Sequence, residues 1–493
     1  MAHRKHIHCI GIWGIGISAL ARYYFAQGYR VTGTNLGHSP LLDTLEKEWI
    51  EIVENGSMMI DRETTKVIYT EAIIDDEKLG LDGVRAEHLP EISVAQFYHI
   101  PLFSYPEALA EIFHTFPIKI AVAGAHGKST TSAMIGTLLH DNQSPATTIT
   151  GTLVKAFWGK NICIEGDDIM TIEACEYRNA FLKYKPDIAV ITNIDPDHLD
   201  FFKTEEAYFE SFQKFMEQSR CVVIPAEEYH NFQNKRQNNG LKKTLPHPEG
   251  AEQGEWTRGC LSGCTPPTPS KKGELGDTTL VIVYDDHFEV IGDEYGVLVP
   301  GKYTYMLPKL LVPWHHTRID ASLAYVTSQI LSIDPKVAMD SLVQYPGSWR
   351  RMEIIKTTNH NNLLMSDYGH HPTEIIATLW ALRGAYPERK IIVFFEPHQY
   401  SRTYELREEF AGSFSDADMT YISDIYAARD IDERRDMIDA RVLATMIARS
   451  SPCDYVGTLE DAGQKLKEID AEETGVLILL LGAGTIDELR TEI

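Results

Sequence analysis

The sequence is short of cysteine, of positive charge and of long apolar runs, and each shortage excludes something. Only seven cysteines stand in 493 residues, at 9, 163, 175, 221, 260, 264 and 453. They are odd in number and mostly scattered through apolar stretches, which argues for a reducing compartment and against a disulfide framework. Cys260 and Cys264 are the one close pair, with no second pair to complete a zinc site. Lysine and arginine number 46 against 71 aspartates and glutamates, a formal net charge of −25. That balance argues against nucleic acid or an anionic membrane as partner, since both require a basic face. A phosphate ligand would have to meet locally placed cations or helix N-termini. No apolar run reaches the ~18 residues of a membrane span. The Gly-rich opening "MAHRKHIHCIGIWGIG" lacks the small-residue cleavage site of a secretory signal. A cytoplasmic location is expected.

What is present is ordinary globular composition, 43% hydrophobic and 24% charged. At roughly 150 residues per domain, the length suggests two to four domains. The opening strand, Gly-rich turn, helix and second strand of "HIHCIGIWGIGISALARYYFAQGYRVTGTNL" form one βαβ unit. A middle segment carries continuous apolar strands such as "IAVITNI", the pattern of a parallel sheet covered on both faces. A third α/β alternation begins near Pro346. The expected fold is α/β with three domains: residues 1–113 Rossmann-like, 114–345 a central P-loop ATPase-like parallel sheet, and 346–493 Rossmann-like. Residues 227–276 are polar and are expected to form a mobile surface insertion.

The chemistry concentrates in four places. "AVAGAHGKSTTSAM" is a strand, a small-residue turn and a helix, with Gly124 and Gly127 bounding a loop two residues shorter than the usual phosphate loop. Such a loop lets backbone N–H groups approach a phosphate, while Lys128 neutralises it and Ser129 or Thr130 can hold Mg²⁺. An accidental strand–helix turn containing Gly-Lys-Ser is the plainer alternative, and the flanking elements argue against it. Glu173 and His198 each follow an apolar strand, which puts them at the carboxyl edge of the sheet, where ligands collect. There they could hold Mg²⁺ or Mn²⁺, or lie on the surface. The turn "GIWGIG" offers a helix N-terminus for a diphosphate but departs from the usual dinucleotide fingerprint, so taken alone it reads better as a non-binding structural turn. "SDYGHHPTE" and "FFEPHQYSRTYELR" supply His370, His371, His398 and Arg402, donors suited to a carboxylate or phosphate.

These motifs, with "GSWRRME" and "DIYAARD", resemble in order those of the Mur ligases, ATP-dependent amino-acid ligases of peptidoglycan synthesis. The resemblance spans nearly the whole chain outside 227–276. It is strongest to the branch joining L-alanine to the lactyl carboxylate of UDP-N-acetylmuramate. It implies ATP and Mg²⁺ (or Mn²⁺), those two substrates, and a monomer or homodimer. Gly124, Ala125, His126, Gly127, Lys128, Ser129, Thr130, His316, Asp320, Arg351 and Asp367 would then serve ATP. Ser129, Glu173 and His198 would be metal ligands, and Lys128, His198 and Arg351 the catalytic group. Gly14, Ile15, Gly16, Ser18, Asn35 and Thr70 would hold the UDP-sugar. Tyr368, His371, His398 and Arg402 would face the amino acid. The sequence departs from the family pattern at Trp13, Cys175, Thr317 and Asp320. A murein-peptide recycling ligase and a non-catalytic nucleotide-sugar-binding homologue are the alternatives.

Overall fold

The computed structural model describes residues 5–34, 45–53, 56–74, 83–196, 199–238, 279–284, 287–291, 301–307, 315–345, 347–427, 436 and 438–493. Among these, twenty strands form three sheets. The first contains β1 (His6–Ile10), β2 (Arg30–Thr34), β3 (Glu51–Val53), β4 (Thr64–Tyr69) and β5 (Leu102–Ser104). Its order is β3-β2-β1-β4-β5, every pairing parallel. The chain winds outward from β1 in one direction and returns to β4 in the other. That reversal leaves a crevice beyond the carboxyl ends of β1 and β4. The helix Ile15–Ala26 rises from the turn after β1. β5 is a strand that its few residues do not announce. The helix Tyr105–Phe113 behind it starts where Ser104 and Glu107 close a capping box, with proline in the first turn.

The second sheet holds β6 (Ile118–Ala123), β7 (Ala146–Val154), β8 (Lys160–Ile164), β9 (Ile169–Glu173), β10 (Ile188–Ile191), β11 (Cys221–Pro225), β12 (Thr279–Val283), β13 (His287–Ile291) and β14 (Gly301–Thr304). Its order is β14-β13-β12-β11-β10-β6-β9-β7-β8. The six strands from β12 to β7 pair in parallel, while β8, β13 and β14 are antiparallel additions at the edges. β10 is buried throughout, as a strand covered on both faces must be. The third sheet comprises β15 (Glu353–Thr357), β16 (Leu363–Asp367), β17 (Ile391–Phe395), β18 (Met419–Ser423), β19 (Cys453–Gly457) and β20 (Leu477–Leu481), in the order β15-β16-β20-β17-β18-β19. Only β15 runs antiparallel there.

The chain divides into two compact units, Met1–Leu310 with His316–Tyr345, and Leu311–His315 with Pro346–Ile493. The first unit carries two sheets because their cores are continuous. Leu20, Ile162, Met170 and Phe212 belong to one buried apolar cluster. Polar groups bind the same junction. Asn161 on β8 donates to the Ser18 hydroxyl at 2.9 Å and to the Ile15 carbonyl, and its own oxygen accepts from the buried Arg22 at 2.6 Å. Arg22 also pairs with Glu48 at 2.9 Å.

The expected surface insertion starts too early. Residues 226–238 form a helix, Ala226–Asn238, whose Tyr229 and Phe232 are each only 1% exposed. Two aromatic rings three positions apart, on one face, anchor an otherwise polar helix, and the polar average hid them. Residues 239–276 of that stretch lie outside the described residues.

The first sheet also buries a polar chain. His6 on β1 bonds Thr64 and Thr32, each at 2.8 Å. Thr32 in turn meets His8 at 2.7 Å, and His8 bonds Glu91 at 2.9 Å. Glu91 also accepts from Thr34 at 2.6 Å.

Candidate active site

The phosphate loop follows β6 and is shaped by its glycines. Gly124 has φ +140°, and a Cβ there would stand 2.1 Å from the Thr192 hydroxyl. Gly127 caps the helix Lys128–Asp141 in the left-handed region at φ +79°, and a Cβ there would meet Asp320 Oδ1 at 2.6 Å. Both positions therefore require glycine, and the turn points the helix's first N–H groups at the loop mouth. Across the loop, Asn193 clamps His126: the His126 N–H donates to its Oδ1 at 3.1 Å, and its Nδ2 donates back to the His126 carbonyl at 2.9 Å. Thr192 donates to the same carbonyl.

Lys128 folds back over this loop. Its ammonium donates to the carbonyls of Gly124 and Ala125 and stands 3.2 Å from Glu176 Oε2. Burial works against the charged form, but the Glu176 carboxylate, with Glu173, outweighs it and lifts Lys128 above the usual lysine value. Ser129 donates to Glu173 Oε2 at 2.8 Å, and the Gly151 N–H donates to the same oxygen at 2.8 Å. Thus Ser129, from the loop helix, and Glu173, ending the adjacent strand β9, meet. Their hard oxygen donors, one hydroxyl and one carboxylate beside a phosphate loop, fit Mg²⁺. Asp320 lies in the helix His315–Ile330 and accepts from Thr131 at 2.9 Å. Thr130 is half-buried in the first turn of the loop helix. The side chain of His316, and all of His198 and Asn35, lie outside the described residues.

The other candidate residues of the first unit gather at the crevice of the first sheet. Gly11 has φ +75°, and a Cβ there would lie 2.4 Å from Thr70 Cγ2, so the turn after β1 seats directly on the residue after β4. Gly14 ends that turn and Gly16 lies in the first turn of the helix, with Tyr105 packed so tightly on it that a Cβ would reach its ring at 2.6 Å. Ile15 opens the helix, and Ser18, fully buried, donates to the Ile15 carbonyl at 2.9 Å.

In the second unit, Asp367 ends β16 and accepts from the backbone N–H groups of Met352 at 2.8 Å and Gly369 at 2.9 Å. Burial raises its carboxyl above the usual range, against the pull of Arg351. Arg350 and Arg351 each lie 5.0 Å from the Tyr368 ring. His371 caps the helix Pro372–Ala385, its ring nitrogen accepting from Thr373 and Glu374 closing the box. The rings of His370 and His398 stand 5.7 Å apart. Burial lowers His370 below the usual imidazole value, with Arg402 adding to it and Glu374 opposing, so the ring is neutral near pH 7. Backbone bonds between Gln399 and Tyr426 and between Tyr426 and Pro397, both 2.8 Å, pin the His398 loop to the loop after β18. A cavity of about 420 Å³ opens there, lined by Glu396, Asp424, Tyr426 and Thr485 among others.

Sequence reasoning missed Glu176, Asn193, Gly151, Asn161 and Tyr105. A signal existed for Glu176, the second acid of "TIEACE", and for Asn193, which ends the apolar run "IAVITN". Gly151, Asn161 and Tyr105 carry no local signal, since their partners lie far along the chain.

A glycine-bounded phosphate loop with its lysine, facing a carboxylate at the end of the adjacent parallel strand, defines an α/β enzyme of the nucleotide-using, phosphoryl-transfer class. Residues 6–117 match the Mur ligase family catalytic domain, 122–257 the Mur ligase middle domain, and 350–484 the Mur ligase glutamate ligase domain. The UDP-N-acetylmuramate–L-alanine ligase of Caldanaerobacter subterraneus subsp. tengcongensis is 32% identical, covering 98% of this chain and 96% of that protein. The enzyme of that name from Alkaliphilus metalliredigens is also 32% identical, over 98% and 95%. The chain belongs to the Mur ligase family. Its fold is that of the UDP-N-acetylmuramate–alanine ligase MurC of Thermotoga maritima (TM-score 0.73, 21% identity, 98% and 97% covered). A murein peptide ligase from Psychrobacter arcticus follows at TM-score 0.60, 20% identity and the same coverage.

Proposed function

We propose that this protein is an ATP-dependent, ADP-forming ligase that joins L-alanine to the lactyl carboxylate of UDP-N-acetylmuramate in peptidoglycan precursor synthesis. The carboxylate is a poor acyl donor until phosphorylated. Transfer of the terminal phosphoryl group to it makes an acyl phosphate, and attack by the amine of L-alanine then expels phosphate and forms the amide. The observation that carries this reading is the Lys128, Ser129 and Glu173 constellation, in a chain related over 98% of its length to L-alanine ligases.

In this reading Lys128 leaves the loop carbonyls and Glu176 to meet the phosphates. Its ammonium is already charged and already within reach of the loop mouth. Ser129 and Glu173, with His198, would hold Mg²⁺, which would supply charge neutralisation for phosphoryl transfer. Gly14, Ile15 and Gly16, with Asn35 and Thr70, cradle the UDP moiety beyond the ends of β1 and β4. The family resemblance gives Arg351 and Asp367 to the nucleotide as well. Tyr368, His371, His398 and Arg402 orient the amino acid, a guanidinium suiting its carboxylate. The described cysteines are all free, and no helix among the described residues is long and apolar enough to cross a membrane. We place the reaction in the cytoplasm.

The test is ADP release by the full chain with Mg²⁺, ATP and UDP-N-acetylmuramate, supplied in turn with L-alanine, glycine, L-serine or a murein tripeptide. Release dependent on L-alanine is expected. Release with the tripeptide alone would replace this reading by the recycling ligase. No ADP with any acceptor would make the protein a non-catalytic binder.

A further inference from the structure

Away from the phosphate loop, the far end of its helix meets the edge strand of the second sheet. Cys163 and Glu165 are two positions apart at the end of β8, so both face the same side. Antiparallel pairing with β7 sets their height. Cys163 lies opposite Thr148, and the Glu165 N–H donates to the Ala146 carbonyl at 2.8 Å. The helix Lys128–Asp141 delivers His140 to that side in its last turn. His140 Nδ1 lies 2.7 Å from Glu165 Oε1. The His140 and Trp158 rings stand nearly perpendicular, their centroids 5.5 Å apart. One ligand atom from each of the three residues lies within 4.8 Å of the other two. A cavity of about 400 Å³, lined by His140, Asp141, Gln143, Ser144 and Glu165, opens beside them.

We infer that His140, Cys163 and Glu165 form a binding site for a borderline divalent transition ion of the Zn²⁺ class, separate from the phosphate loop. Imidazole nitrogen, thiolate sulfur and carboxylate oxygen are the donor set such an ion prefers, whereas Mg²⁺ and Ca²⁺ reject sulfur. Three protein ligands leave a fourth position on the cavity side, with room for water. The ligands come from a helix end and an edge strand whose partners are 23 to 25 residues apart in sequence, so the ion ties two elements together. Binding replaces the thiol proton by the metal and releases that proton to solvent. A plain His140–Glu165 ion pair beside a core cysteine would show none of this.

The test uses the full chain stripped with a chelator and titrated with Co²⁺. One Co²⁺ per chain is expected, with a near-ultraviolet thiolate-to-cobalt charge-transfer band that excess Zn²⁺ abolishes. Cys163→Ser should lose the band. Glu165→Gln, at an exposed carboxylate, should keep the band but weaken affinity by at least about tenfold. Zn²⁺ should raise the melting temperature of the wild type and not of Cys163→Ser. Absence of the band in the wild type overturns the site. So does a band that survives Cys163→Ser, which would assign it to other thiols such as Cys260 and Cys264, or affinity unchanged in Glu165→Gln.

Discussion

At the scale of single residues, Lys128 does two jobs that pull in opposite directions. It is the cation meant for phosphate, and it is also the counter-ion of Glu176, which is fully buried. Lys128→Met should cut the rate of ADP formation by at least about a hundredfold, the usual effect of deleting one charge-stabilising donor. It should also destabilise the protein by about 3 kcal/mol, because a buried carboxylate loses its partner. Adding Glu176→Gln should restore most of the stability, read by urea unfolding, and none of the activity. If the double variant regained activity, the phosphate role of Lys128 would fall. The lysine was legible in the sequence because a loop of four residues between a strand and a helix is local. Its dependence on Glu176, 48 positions away, was not.

At the scale of elements, the junction between the first two sheets rests on one side chain. Asn161 uses both ends of its amide, donating to Ser18 and Ile15 and accepting from Arg22. Asn161→Ala leaves the buried Arg22 short of an acceptor and the Ile15 carbonyl without this donor. We expect a loss of about 2 kcal/mol in urea unfolding. Because the same turn carries Gly14 and Gly16, affinity for UDP-N-acetylmuramate should fall while that for ATP holds. Equal loss of both would show that the junction does not position the turn. Apolar runs made β1, β6, β9, β10, β17 and β20 legible in the sequence. The edge hairpin of β7 and β8 and the short β5 were not. β5 and β8 lie at sheet edges with one neighbour each, so they lack the continuous apolar signature of the centre, and β7, though it pairs on both sides, buries threonines in place of an apolar run.

At the scale of the whole molecule, the buried His6–Thr32–His8–Glu91 chain makes folding sensitive to acid. Burial, with Arg30 and His8 adding to it, lowers His6 from 6.5 to about 4. Between those values the unfolded chain takes up a proton that the folded protein refuses. Stability is therefore full above pH 6.5 and declines as pH falls towards 4, by about 3 kcal/mol from this group. Glu91 acts lower. Burial raises it, but hydrogen bonds from His8, His88 and Thr34 prevail and bring it to about 2, so its contribution holds above 4.5 and is lost as pH falls through 2. Urea unfolding at pH 7.5, 6, 5 and 4.5 should trace the first decline, and His6→Gln, less stable at pH 7.5, should flatten it. An undiminished slope in that variant would remove His6 from the explanation.

The sequence by itself determined the α/β class, the phosphate loop and the family, because each rests on short-range features. Strand periodicity, glycine at a strained turn, and a lysine and serine at fixed spacing need no distant partner to be recognised. The tertiary structure decided which residues meet across the chain. Ser129 met Glu173, Lys128 met Glu176, Asn161 reached Ser18, and His140 reached Cys163 and Glu165. Sheet order sets those meetings. β6 lies between β9 and β10 rather than beside its neighbours in sequence, and no local pattern encodes that choice.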